Sequence, residues 1–209
     1  MAKPASQRGR RWLIAAGGLA AVLIVVGVLG ATGVFSAAPR DLNGKPVSYD
    51  LDASPNPKAS AVPNGSGRFI ADSVGLNVPM GSLDAVDGEV TPPGFTSAYL
   101  IRNYGVTPPR AGLGAVYVVM HSLRNGAVGP GNALIDVDKK KAKIRNGARI
   151  SVAGVTYKVT GTESVSKREL PSSKIWSAGR NELIVITCLQ RPQGGASVQN
   201  IVITAHRVP

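Results

Sequence analysis

The chain has 209 residues, a formal charge of +12 at pH 7, one cysteine and only 5% aromatic residues. That length suits one domain of ordinary size plus extra segments, and a single cysteine excludes an intramolecular disulfide. Its two histidines are not accompanied by a short-spaced set of four metal ligands, so neither a metal nor a cofactor is expected.

Lys3, Arg8, Arg10 and Arg11 precede a stretch, Leu13 to Phe35, that carries no charged side chain. The stretch is about 23 residues long, and roughly 20 suffice to cross a hydrocarbon core as a helix. A helix satisfies its own backbone in lipid, and positive flanks stay in the cytoplasm. Residues 1–12 are therefore expected as a cytoplasmic basic segment and residues 13–35 as a transmembrane signal anchor, with the rest of the chain extracytoplasmic. Ser36-Ala37-Ala38 leaves cleavage as a second reading, and both readings export the domain. Residues 36–66 are rich in Pro, Ser and Gly, with Pro39, Pro46, Pro55, Pro57 and Pro63 recurring among polar residues, and are expected as a flexible tether.

Residues 67–209 form the expected folded domain. Its apolar runs are short, rich in Val and Ile, and bounded by Gly, Pro, Asn and Ser. In chain order they are Arg68 to Ile70, Leu76 to Val78, Ala115 to Met120, Ala133 to Val137, Ala148 to Val152, Val155 to Val159, Leu183 to Thr187 and Ile201 to Ala205. Ala153-Gly154 between two of them predicts a hairpin turn. No long helical stripe competes, so the class is all-β, and many short strands in one domain predict a closed or nearly closed barrel.

Cys188 ends the run LIVITC and opens into Leu189-Gln190-Arg191-Pro192-Gln193-Gly194-Gly195. It admits two readings: a buried structural thiol, or a nucleophile at a strand end. His121 ends a second such run, VYVVMH, and is either satisfied by loop backbone or the base and acid that a cysteine needs. Two strands ending in Cys and His can place both on one barrel rim. Arg191 follows closely and is the candidate to hold an oxyanion, or else is a solvated loop residue. His206 lies inside the last run beside Arg207 and is read as structural. Lys139, Lys140, Lys141, Lys143, Arg145 and Arg149 form a basic run, read as a solvated loop or as a surface for anionic wall polymers or membrane; export argues against nucleic acid.

These residues resemble the sortases, cysteine transpeptidases, and most resemble the actinobacterial class E and F kinds. Leu183-Ile184-Val185-Ile186-Thr187-Cys188 is similar to that family's strand ending in Thr-Cys, Ala115 to His121 to its strand ending in the histidine. Arg68-Phe69-Ile70 and Gly75-Leu76-Asn77-Val78-Pro79 resemble its opening strands. The resemblance spans about Arg68 to Arg207. It implies a closed eight-stranded sortase-like β-barrel, attack by Cys188 on the threonine carbonyl of an LPxTG-like sorting signal, a thioester acyl-enzyme, and its resolution by an amine. His121 would protonate the leaving amine and deprotonate the incoming one, and Thr187 would help shape the site. The implied partners are surface proteins with a C-terminal sorting signal, an amine of the cell wall or a pilin, and the membrane. Two departures stand out. Met120-His121-Ser122-Leu123 replaces the family's usual Gly-His-x-Asp, and Ser197-Val198-Gln199-Asn200 holds no arginine where the final strand usually supplies one. Arg191, or less well Arg207, is the substitute, and the alternative function is a non-catalytic sortase-like binding or scaffold domain. An L,D-transpeptidase is a poorer match, because its Ser-His-Gly-Cys signature is missing.

Overall fold

A computed structural model describes residues 38–48 and 54–209. The basic segment and transmembrane helix expected over residues 1–35 lie outside them; among the described residues no helix is long and apolar enough to cross a membrane. The described residues form ten strands: β1 (Arg68–Ala71), β2 (Leu76–Leu83), β3 (Ala98–Ile101), β4 (Val116–Met120), β5 (Ile135–Asp136), β6 (Lys141–Ala142), β7 (Arg149–Val152), β8 (Val155–Ser166), β9 (Glu182–Leu189) and β10 (Gln199–Arg207). Eight of them close a barrel in the order β1-β2-β3-β4-β9-β10-β8-β7, while β5 and β6 pair separately. The eight-stranded barrel expected from the sequence is therefore the fold.

Alternation along the strands builds two apolar layers, because successive side chains point to opposite faces of a strand. Val116, Val118 and Met120 of β4, Leu183, Val185 and Leu189 of β9, and Ile201, Ile203 and Ala205 of β10 belong to the barrel's main core. Tyr117 of β4, Ile184 and Ile186 of β9, and Val202 of β10 fall on the outer face. There they form a second cluster with Ile101 and Ile175, against which Trp176 packs. The segment between β8 and β9 thus covers the outside of the central strands. The Tyr117 hydroxyl donates to the Ile175 carbonyl at 2.8 Å, and Trp176 stacks on Tyr117 with ring centroids 5.5 Å apart.

The Ala153-Gly154 hairpin forms as expected. Both residues have positive φ, 48° and 85°, which matches the right-handed twist of β7 and β8 across a two-residue turn. The run Ala133 to Val137 yields only the two residues of β5. Its first half is taken by a 3-10 turn, Pro130–Leu134, favoured by the proline in its first turn. β3 was not among the expected strands; it runs parallel to β2 and antiparallel to β4 and completes the barrel.

Part of the segment expected as tether packs on the barrel. Val62 and Ser82 exchange backbone hydrogen bonds at 2.8 and 2.9 Å, the Asp84 N–H donates to the Ala59 carbonyl at 2.8 Å, and Ala59 is buried. Arg102 fastens this stretch. Its guanidinium reaches Asp84 at 2.7 Å, Ser82 Oγ at 3.0 Å and the Ser60 carbonyl at 2.9 Å. The hydrogen bond from Arg102 lowers the Asp84 pKa; burial opposes this and the guanidinium charge adds to it. The contribution is present above the unfolded carboxylate pKa and is lost as pH falls through the lowered folded value. Arg102→Met should cost on the order of 1 kcal/mol, since the ion pair is a third exposed. Limited proteolysis should then cut residues 54–62 faster, and an unchanged cleavage rate would deny Arg102 this fastening role.

Candidate active site

β4 and β9 run parallel, with Val116 opposite Leu183 and Met120 opposite Thr187. One residue further along each strand stand His121 and Cys188. Parallel partners share a face, and the alternation described above sends both to the outer face of the barrel, at the ends of their strands. The structure therefore brings together the two residues that the sequence singled out. Cys188 is partly exposed. Val198 to Asn200 approach from the other side: in the antiparallel β9–β10 ladder, Cys188 is the direct partner of Asn200.

Side-chain bonds fix the two strand ends against each other. Thr187 points inward, is buried, and donates its hydroxyl to the Met120 carbonyl at 2.9 Å. Ser122 donates its hydroxyl to the Cys188 carbonyl, and Gln190 Nε2 donates to the Ser122 carbonyl at 2.8 Å and to Ser122 Oγ at 3.0 Å. Ser122, the residue after the histidine, is thereby tied to Cys188 and Gln190 in one unit. The loop leaving His121 is closed by Asn132, whose Oδ1 accepts from Leu123 N–H at 2.7 Å and Gly129 N–H at 2.8 Å, and whose Nδ2 donates to the Leu123 carbonyl at 2.8 Å. Asp41 braces the same loop from residues 38–48 by accepting the Val128 N–H at 2.9 Å.

The His121 ring is held by the segment between β2 and β3. Its Nε2–H donates to the Pro92 carbonyl at 3.0 Å, and Phe95 packs on it with ring centroids 5.0 Å apart and planes tilted by 53°. Burial pushes the imidazole pKa below its ordinary 6.5; the Pro92 carbonyl opposes this and the Lys167 charge reinforces it. The segment between β2 and β3 therefore touches the histidine through Pro92 and Phe95, and Lys167, just after the end of β8, acts on it through its charge.

Arg191 lies on the loop after β9, exposed, with Nη1 3.8 Å from where a Cβ on Gly195 would stand. His206 and Arg207 sit at the far end of β10, opposite Glu182 and Tyr157. Seven residues of strand separate Arg207 from Asn200, roughly 23 Å at 3.3 Å per residue, so Arg207 is no substitute for a late arginine. A cleft of about 310 Å³ lined by Arg149, Thr156 and Arg207 opens at that far end and is remote from Cys188. The residues that sequence reasoning passed over are Ser122, Gln190, Asn132, Phe95 and Asn200. Each acts through a register or loop contact that no local motif announces.

No family model matches the sequence, and no curated protein matches it. Solved structures similar to the chain are sortases. Sortase A from Listeria monocytogenes is 15% identical, with 68% of this chain and 86% of that chain covered at a TM-score of 0.48. Sortase C-1 from Streptococcus pneumoniae is 12% identical, with 79% and 74% covered at 0.47. A sortase D5 transpeptidase from Clostridium perfringens is 13% identical, with 76% and 84% covered at 0.45.

Proposed function

We propose that this protein is a sortase-type cysteine transpeptidase, anchored in the membrane with its barrel outside the cell. The observation that carries the reading is the pairing of β4 with β9, parallel strands whose ends present His121 and Cys188 side by side on one face. In this reading the Cys188 thiolate attacks a threonine carbonyl of an LPxTG-like sorting signal. The carbon–nitrogen bond breaks, and His121 gives its proton to the departing amine. A cell-wall or pilin amine then loses a proton to His121, attacks the thioester and releases Cys188. A partly exposed thiol beside an acid–base group can run both halves, and the ties from Ser122 and Thr187 keep the pair aligned. The exposure of Arg191 favours the second reading, a non-catalytic scaffold, because an exposed guanidinium is solvated and not committed to the site.

The test is incubation of the full chain with a panel of LPxTG-like peptides and hydroxylamine, with intact-mass detection. Wild type should form a thioester adduct and release hydroxamate, and Cys188→Ala should do neither. Neither cleavage nor adduct across a broad panel, together with a thiol inert to alkylation, would make the scaffold the better account.

A further inference from the structure

Acyl transfer at Cys188 places negative charge on the attacked carbonyl oxygen, and a donor must meet it. Arg191 stands exposed on its loop, and Arg207 is at the wrong end of β10. The outer face around Cys188 has two immediate neighbours in the sheet. On the β4 side is His121; on the β10 side is Asn200, its direct antiparallel partner. Directly opposite residues share a face, with Cβ atoms about 4.5–5.5 Å apart.

Asn200 is unusual for a strand residue in this barrel. It is only 5% exposed, yet no hydrogen bond to its carboxamide occurs among the described residues. Buried carboxamides ordinarily find partners, because leaving one unpaired costs free energy. Nor is the amide sealed in. Among the described residues, the enclosed side-chain polar atoms without partners are the Tyr157 hydroxyl and Gln190 Oε1, and the Asn200 atoms are not among them. A nearly buried amide whose polar tip still reaches the surface, beside the nucleophile, is a donor waiting for an acceptor. Next to it on β8 stands Val165, which offers no competing polar side chain.

We infer that the Asn200 carboxamide is the oxyanion donor of this site, a neutral N–H donor taking the task that sequence reasoning gave to Arg191. The inference rests on the transpeptidase reading. When Cys188 Sγ bonds to the carbonyl carbon, the carbon–oxygen π pair moves onto oxygen and accepts from Asn200 Nδ2. The pair returns when the leaving group departs, so the donor gains strength only while the tetrahedral species exists.

The test uses two reactions of the same thiol. Acetylation by p-nitrophenyl acetate passes through an oxyanion, expels p-nitrophenolate and needs no sorting motif. Alkylation by iodoacetamide is a direct displacement of iodide and forms no oxyanion. Both are measured on the full chain, with Cys188→Ala as background. Asn200→Ala should slow acetylation about 10²- to 10³-fold and leave alkylation unchanged. Asn200→Leu, which keeps the bulk and removes the donors, should behave alike, with melting curves checking the fold. Acetylation that is unaffected, or that falls in step with alkylation, overturns the assignment alone and makes Asn200 a packing residue. A wild-type Cys188 inert to both reagents overturns the transpeptidase reading and this inference with it.

Discussion

His121→Gln should lower peptide acylation by about 10²- to 10⁴-fold, the range over which a positioned acid–base group acts. It should leave the fold intact, because Phe95 and the Pro92 carbonyl can still receive a planar polar side chain. The effect should be largest for peptide substrates, whose amine must be protonated to leave. It should be small for p-nitrophenyl acetate, whose phenolate departs without a proton. Equal losses on both substrates would mean that His121 serves the thiol and not the leaving group. The pH dependence has a definite sign. Burial and Lys167 hold the imidazole pKa below 6.5, so the neutral ring persists further into acid than in an unfolded chain. The unfolded state then binds the proton first, and stability falls as pH drops from about 6.5 toward the folded value. His121→Gln should flatten that slope. Lys167→Gln should raise the His121 titration midpoint followed by NMR, and an unmoved midpoint would remove Lys167 from the site's electrostatics.

How far the sequence reached follows from what each residue type announces. Cys188 and His121 were legible because each closes a Val- and Ile-rich run and opens into a polar loop, a local pattern. Their juxtaposition was not fixed locally. It depends on β4 and β9 being parallel neighbours in register, although dozens of residues separate them in the chain. Asn200 shows the limit most clearly. As a sequence letter it marks only the lack of an arginine, and it acquires meaning from one ladder pair and from burial. β3 escaped notice because its four residues, all buried, lie in a chain stretch dominated by turn residues, and its pairing with β2 is parallel and non-local. The segment before residue 67 reads as loop by composition. Its contacts come from backbone groups at Ala59, Val62 and Gly65, which carry no compositional mark.

Among the described glycines, Gly131→Ala should be the most damaging single added methyl group. A Cβ at residue 131 would stand 1.9 Å from Thr187 Oγ1 and 2.9 Å from the His121 carbonyl oxygen. Neither neighbour yields cheaply. The Thr187 hydroxyl is spent on the Met120 carbonyl, and the His121 carbonyl already accepts the Gly131 N–H at 2.8 Å. The loop must therefore lift away from the ends of β4 and β9. Overpacking of this kind costs about 1–3 kcal/mol, visible as a lowered Tm. The catalytic penalty should exceed the stability penalty, because the displaced groups carry His121 and Cys188, and a shift of about 1 Å can cost 10²-fold in rate. Thr187→Ala removes the nearer obstacle while leaving its Cβ in place. The double variant Gly131→Ala/Thr187→Ala should thus regain part of the lost stability, a coupling that independent sites would not show. A Gly131→Ala protein as stable and as reactive at Cys188 as wild type would mean that the loop after His121 does not press on the nucleophile strand, and that alignment of the pair comes from the Ser122 and Gln190 bonds alone.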